Sequence, residues 1–490
     1  MNLVSVFFFI SLCLIGQSAM ATSTNIASLF EVQEWSSPNT ELSIPGTSDF
    51  TNATSRWNIY RAPSYGAALS VGSEEDVVAA VKIATANYIP FLATGGRHGY
   101  GKSLGELQDG LAIDLGGLKK LDIDASAGTI TVGPGVTIGD IFDPLYETGY
   151  QLQTGVCSCA GMIGVTLGAG IGRSQGQQGL MLDALQSARV VTASGEVLEA
   201  SATSNEDLFW AIRGAGQNFG IVTSATYKLH PVTQDYTSID LGFPARLHQE
   251  IFRALAEFDT SPEWAIAGNI AYDADAGEPV VQTSCVYHGP RDKALALLSP
   301  LLAVGPTSTN ITEIPWNHLA AVAAFGSDAA ICAPGKTVSI YGVNLRQRDP
   351  EAWTSAFVSM AELYENYPAA RGSVVVFEIW SNQAVRAIPD EDTAYPWRDA
   401  DTYVMIQNYW PANDTSTGEA ATSNASKIRD ALAATSGYGG LTVYVNYANG
   451  DETLEQIYGE EKLPRLVELK RRHDPENVFR FHHGLPVVYP

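Results

Sequence analysis

Polar and apolar positions follow two different periods along the first 230 or so residues. Ser73-Glu74-Glu75-Asp76 precedes Val77, Val78, Val81 and Ala84, a hydroxyl cap and acidic first turn opening an amphipathic helix. Ile89 to Ala93 then predicts a short strand, as do Leu111 to Leu115 and Thr129 to Val132, the last stopped by Gly133-Pro134-Gly135. Thr137 to Tyr146 predicts a helix, and Ala188 to Thr192 and Gly220 to Thr223 predict further strands. Near Pro231 the character changes. Longer strands are expected over Val280–Tyr287, Thr337–Val343, Gly372–Ile379 and Thr402–Trp410, with helices at His248–Phe258, Asp292–Leu302 and Ala352–Tyr367 between them. This is the pattern of an α+β unit on an antiparallel sheet. A last helix is expected from Leu463 to Lys470, and no internal repeat or low-complexity tract interrupts the chain.

A chain of 490 residues exceeds one ordinary core and suggests two domains. With 45% hydrophobic and 17% charged residues its composition is globular. The formal charge of −24 argues against nucleic acid or an anionic membrane as partner. Leu3 to Ile15 is an almost continuous apolar run followed by Ala19-Met20-Ala21, which predicts a signal peptide cleaved near Ala21, although no Lys or Arg precedes the run. The run is too short to anchor the chain stably in a membrane. Asn52, Asn310, Asn413 and Asn424 head N-glycosylation triplets, consistent with secretion or residence in the secretory lumen. Once Cys13 leaves with the signal, Cys157, Cys159, Cys285 and Cys332 remain, too few for a disulfide-built scaffold. Cys285 and Cys332 can pair or stay apart on sequence grounds alone; committing Cys157 to other chemistry leaves Cys159 as the odd thiol.

Two loops carry the candidate chemistry: Gly95-Gly96-Arg97-His98-Gly99-Tyr100, and Gly155-Val156-Cys157-Ser158-Cys159-Ala160-Gly161. Each sets a soft nucleophile, an imidazole or a thiol, in backbone bare enough for a flat, charged cofactor to approach. Gly96 to Ser103 satisfies the P-loop expression, but Leu104-Gly105-Glu106-Leu107-Gln108-Asp109-Gly110 follows where a helix must open. Gly168-Ala169-Gly170-Ile171-Gly172 does not match the dinucleotide fingerprint and has no acidic ribose partner. The glycines at 161, 164, 168, 170 and 172 imply that the backbone there lies against something flat or phosphorylated. No metal site is expected.

These loops, with Asp207 to Gly214, Asn218 to Thr223, Tyr444-Val445-Asn446-Tyr447 and Asp474 to Phe479, resemble the berberine-bridge-enzyme-like group of the vanillyl-alcohol-oxidase/PCMH flavoproteins. More narrowly, the chain resembles secreted fungal FAD-linked oxidoreductases of natural-product pathways. The resemblance implies a PCMH-type FAD-binding domain over 22–232, with its core from about 63, after a signal peptide over 1–21. It implies an inserted substrate-binding domain over 233–449, an antiparallel sheet covered by helices, and a segment over 450–490 that returns to the FAD domain. It implies FAD bonded through His98 and Cys157, with Cys159 the alternative thiol. Gly95, Gly96, Gly99, Tyr100, Gly161 and Gly164 would offer backbone to the pyrophosphate. Asn218, Gly220, Ile221 and Val222 would lie towards the adenosine. Arg97 stands where the family often has Gly and adds a candidate phosphate contact.

In the resembling enzymes the residue three after the flavin-bearing Cys gates oxygen, so the small Ala160 implies an oxidase using O2. Tyr447 would be the base that assists hydride transfer to flavin N5, with Tyr444 and Asn446 as neighbours; packing on an alternating strand is the plainer reading of the three. Ala394 to Arg398, Gln407 and Trp410 match a pocket-lining segment, Ser381-Asn382-Gln383 departs from the family, and His482 and His483 read as exposed. The implied reaction is oxidation of an alcohol or C–H bond, with possible ring formation, in a small natural product. An oligosaccharide oxidase or a flavoprotein cyclase of the same fold are the alternatives, and a monomer suffices for any of them.

Overall fold

The computed structural model describes residues 26–489, and the expected signal peptide lies outside them. The predicted first helix forms over Glu74–Ala86, with Ser73 Oγ accepting from Asp76 N at 3.2 Å. It belongs to a four-stranded sheet in the order Glu41–Ser43, Tyr65–Ser70, Gly110–Asp114, Phe91–Thr94, whose last three strands run parallel. A five-stranded antiparallel sheet follows, in the order Leu121–Asp124, Thr129–Val132, Ile221–Lys228, Leu185–Val191, Val197–Ser201.

The remaining large sheet has seven antiparallel strands, in the order Ser308–Ile314, Tyr236–Pro244, Glu278–His288, Trp264–Asp273, Val374–Trp380, Thr402–Tyr409, Val338–Leu345. Side chains alternate across it. Phe377, Ile379, Val404 and Ile406 enter a core covered by the helices His248–Glu257, Pro350–Asn366 and Thr415–Ala434. The intervening Trp380 and Tyr403 join a second core shared with the five-stranded sheet. Glu378 and Met405 therefore face the same way, towards the five-stranded sheet.

Two expected helices are shortened by proline, which lacks a donor N–H. Thr137–Tyr146 becomes a 3-10 turn at Gly139–Ile141 and a five-residue helix, Phe142–Tyr146, containing Pro144. Asp292–Leu302 divides into Arg291–Leu297 and Ser299–Ala303, the second with Pro300 in its first turn. Tyr444, Asn446 and Tyr447 do not alternate on a strand: Val445–Tyr447 is a 3-10 turn.

The thiols also pair differently from expectation. Cys159 is bonded to Cys332, so Cys159 is not the odd thiol and Cys285 does not pair. Cys285 is free and fully buried in the helix-covered core, with its Sγ 3.8 Å from the Thr283 hydroxyl.

The C-terminal helix Leu463–His473 anchors the end of the chain to the segment before the strand Ile221–Lys228. Lys470 is fully buried, and its Nζ meets Asp474 Oδ2 at 2.6 Å, Asn218 O at 3.0 Å and Phe479 O at 2.7 Å. Asp474 in turn accepts from the amides of Val478 and Phe479 at 2.8 and 2.9 Å. One ion pair thus folds the chain back after the helix. Lys470→Met is expected to lower unfolding free energy by about 3–5 kcal/mol, because it strands a buried carboxylate; denaturant titration of the purified protein measures it.

Candidate active site

The strand Phe91–Thr94 ends in Gly95, and the two glycine loops meet there. A Cβ on Gly96 would lie 2.3 Å from Gly161 N, and one on Gly95 would lie 2.1 Å from Pro134 O. The bare backbone therefore serves first for contact between protein segments. Gly168 repeats the pattern against Asn446, whose Oδ1 would stand 2.1 Å from an added Cβ. Gly164 differs: a Cβ there meets nothing within 4 Å.

The loops wall a cavity of about 370 Å³. His98 and Cys157 both line it, as do Gly95, Gly96, Arg97, Gly99, Tyr100, Ala160, Gly161 and Gly164. Gly220, Ile221 and Val222 line it too, as do Tyr444, Asn446 and Tyr447. Asn218 does not. Its amide is spent on Ala215 O and the Tyr458 hydroxyl, and its Oδ1 accepts from Leu485 N at 2.8 Å, so it secures the C-terminal segment.

Arg97 adopts φ 57° and contributes backbone to the wall, but its guanidinium donates to Asn52 O at 2.6 Å and lies 3.7 Å from Asp114. The Ala394–Arg398 segment is structural: Arg398 pairs with Asp183 at 2.7 Å and Trp397 Nε1 donates to Ile457 O at 3.0 Å. From that group Gln407 alone lines the cavity. His482 and His483 are enclosed rather than exposed, and both reach the wall.

His98 stacks on Trp57 with centroids 5.3 Å apart. Burial, with the charges of Arg56 and Lys336, pushes its imidazole down to about 4, so the ring is neutral and its nitrogen lone pair is available. Burial and the Asp328 charge push the Cys157 thiol up to about 12, against the pull of Arg173 and Lys336. Nδ1 of His482 and Nη1 of Arg56 are buried in the wall without partners. The unpaired guanidinium N–H of Arg56 calls for an acceptor on a ligand, and the His482 nitrogen for a further polar partner. With the open face of Gly164, they fit a large polar cofactor.

The 3-10 turn at Val445–Tyr447 brings three side chains inward. Asn446 Nδ2 donates to Val165 O and to the Tyr444 hydroxyl, at 3.0 and 2.7 Å, and Tyr444 also accepts from Gly170 N. The Tyr100 hydroxyl donates to Asn446 O. Tyr444 and Asn446 are therefore fixed struts. Tyr447 instead donates to Glu378 Oε2 at 2.9 Å.

Sequence reasoning missed Glu378. Its signal is a single acid inside the apolar run Val374-Val375-Val376-Phe377-Glu378-Ile379-Trp380. Burial raises its carboxyl to about 8, moderated by the Tyr447 hydrogen bond and the Arg173 charge. Trp57, Ile331, Ile340 and Met405 supply the apolar wall nearby. Gln407 Nε2 finds only the Met405 sulfur, at 3.3 Å, and so remains a donor for a ligand oxygen.

Comparison with known proteins gives this cavity its context. A family described as FAD binding domain matches residues 66–201, and one described as berberine and berberine like matches 443–486. The chain is 51% identical to the FAD-linked oxidoreductase OXR1 of Pyricularia oryzae, over 92% of this chain and 90% of that one. Its fold is similar to that of Physcomitrella patens BBE-like 1, with a TM-score of 0.81 and 24% identity over 92% of this chain and 98% of the other. It is similar also to the glucooligosaccharide oxidase of Acremonium strictum, described as having 6-S-cysteinyl, 8α-N1-histidyl FAD, with a TM-score of 0.79 and 21% identity over 92% and 98% of the two chains. The family matches fall on the glycine loops and on the Tyr444–His483 wall, and the chain belongs to the berberine-bridge-enzyme-like FAD-linked oxidoreductases.

Proposed function

We propose that the protein is a secreted oxidase holding FAD through both His98 and Cys157, acting on an alcohol or C–H bond of a small, largely apolar natural product with O2 as acceptor. The carrying observation is that both nucleophiles line the same cavity as Tyr447, whose hydroxyl donates to the buried Glu378 behind it. The Acremonium strictum neighbour supports the double attachment. Trp57, Ile331, Ile340 and Met405 favour an apolar ring over an oligosaccharide, with Gln407 Nε2 left to orient one oxygen. Asn52, Asn310 and Asn413 are exposed and open to glycans, whereas Asn424 is half-buried with Oδ1 accepting from Ser359 at 2.6 Å. Among the described residues no helix is long and apolar enough to cross a membrane.

FAD, when bound, supplies a two-electron acceptor for hydride. The chain's own part is the proton. The substrate O–H gives its proton to the Tyr447 oxygen as the Tyr447 proton passes along the 2.9 Å hydrogen bond to Glu378. A tyrosine otherwise held well above its ordinary range by burial thus acts without carrying a lasting charge. The relay requires an ionised Glu378, which the Arg173 charge favours and burial opposes.

Three measurements follow from this arrangement. The denatured protein is expected to keep its flavin, each of His98→Ala and Cys157→Ala to keep it by the other bond, and the double variant to release it; intact mass reads this directly, and release from the wild type overturns the double attachment. Because Glu378 ionises only as pH rises towards about 8, kcat/KM should climb with pH through that region. Glu378→Gln should flatten the profile and lower kcat/KM by about 100-fold or more. Ala160 is on the wall and nearly buried, with a relative exposure of 8%. Ala160→Leu should slow reoxidation by O2 about tenfold while leaving anaerobic bleaching by substrate unchanged, as read by stopped-flow absorbance.

A further inference from the structure

The Gly155–Gly161 loop and residues 324–336 belong to different parts of the fold, yet they are tied together at several points. Cys159 is bonded to Cys332. Beside it, Ser158 gives its amide and its hydroxyl to the two oxygens of Asp328, at 2.9 and 2.5 Å. Trp57 Nε1 donates to Ile331 O at 2.6 Å, and the Lys336 backbone bonds with Trp57 O and Ile59 N, both at 2.9 Å, while within the segment Lys336 Nζ reaches the carbonyls of Ala330 and Ile331 at 2.7 and 3.0 Å. Trp57 is the ring stacked on His98.

The helix in this segment, Asp328–Cys332, has five residues and buries none of them. So short a helix has no stability of its own, and its position is set by these ties. It nevertheless places Ile331 in the cavity wall and touches the neighbours of both His98 and Cys157. Its upstream end is pinned as well, by Ala324 N to Ser284 Oγ and Phe325 N to Asp240 Oδ2, both at 2.9 Å.

The cysteine arrangement adds a second, chemical consequence. Cys157 and Cys159 share one loop, and Cys157 lines this cavity whereas Cys159 borders an adjoining one with Gly95, Gly96 and Arg97. Bonding Cys159 to Cys332 takes up the second thiol of the loop. Cys285 is enclosed in the other core, so Cys157 is the free thiol on the wall among the described residues.

We propose that the Cys159–Cys332 disulfide is a positioning staple: it holds residues 324–336 as the cover over the His98–Cys157 end of the cavity and leaves Cys157 as the thiol presented to it. The thiol-selecting half rests on the reading of Cys157 as a flavin tether; the cover half does not.

The experiment compares the FAD-loaded wild type with Cys159→Ser/Cys332→Ser. In the variant, trypsin cleavage after Lys336 should accelerate about tenfold or more as the segment opens. Peptide mapping should show flavin on the Cys157 peptide reduced about tenfold, with the His98 peptide still modified and KM raised more than kcat is lowered. Unchanged protection of Lys336 together with full modification of Cys157 overturns the proposal. If the variant fails to fold, the folded wild type is reduced with dithiothreitol, the two new thiols are verified by alkylation, and an unaltered cleavage rate at Lys336 overturns it equally. A wild-type Cys157 peptide without flavin defeats the tether reading instead, and the Lys336 rate alone then decides the staple.

Discussion

Gly96 and Gly161 lie backbone against backbone, one leaving a parallel strand and the other entering the Met162–Gly168 helix. Any side chain at Gly96 would enter the space of the Gly161 amide, and overpacking of this kind typically costs about 1–3 kcal/mol even where neighbours relax. The contact joins the two loops that carry His98 and Cys157 to one cavity. Seven residues further on, Gly168 against Asn446 extends the same close approach to the C-terminal part of the chain. Asn446 is then held by Val165 and Tyr444, and its neighbour Tyr447 is left facing Glu378. Backbone contact thus joins the two glycine loops, and hydrogen-bonded side chains of Asn446 and Tyr447 extend the arrangement to the proton relay.

Much of this was legible in the chain, though for reasons that need adjusting. The glycine loops mark the site, but Gly95, Gly96 and Gly161 are bare because protein backbone approaches them; Gly164 alone of that set is open to the cavity. Strand periods located the sheets, while prolines 144 and 300 shortened helices whose apolar spacing looked continuous. The long helix Thr415–Ala434 escaped notice because it buries mostly small residues, among them Thr417, Gly418, Ala421 and Ala425. Glu378 was hidden for a different reason. Its importance comes from Tyr447 across the fold, and local pattern carries no information about that pairing. The bond from Cys159 to Cys332, separated by 173 residues, is tertiary in the same sense.

Charge is distributed in two ways inside the molecule. Lys470 with Asp474, Arg398 with Asp183, and Arg429 with Asp451 and Glu452 are buried or half-buried pairs with close partners. Such pairs contribute little net stability over apolar packing, but breaking one is costly, so each fixes where its segment can lie. Glu378 has no such full partner. Its direct contact is a phenol and its cation, Arg173, acts through space. That is why burial can lift this carboxyl towards neutrality, whereas Asp451, paired with Arg429, is held below its ordinary value.

The fold-back anchored by Lys470 carries Phe479, Phe481, His482 and His483 into the wall beside the first glycine loop. The cavity is thus closed by residues that leave the ribosome long after His98, Cys157 and even Tyr447. During synthesis the nascent chain can form its sheets in sequence, but it presents an incomplete cup to any cofactor until this stretch has emerged. Cofactor capture is in that sense a terminal event in the life of the chain, and a polypeptide cut short before Phe479 would expose the apolar lining of its own unfinished site.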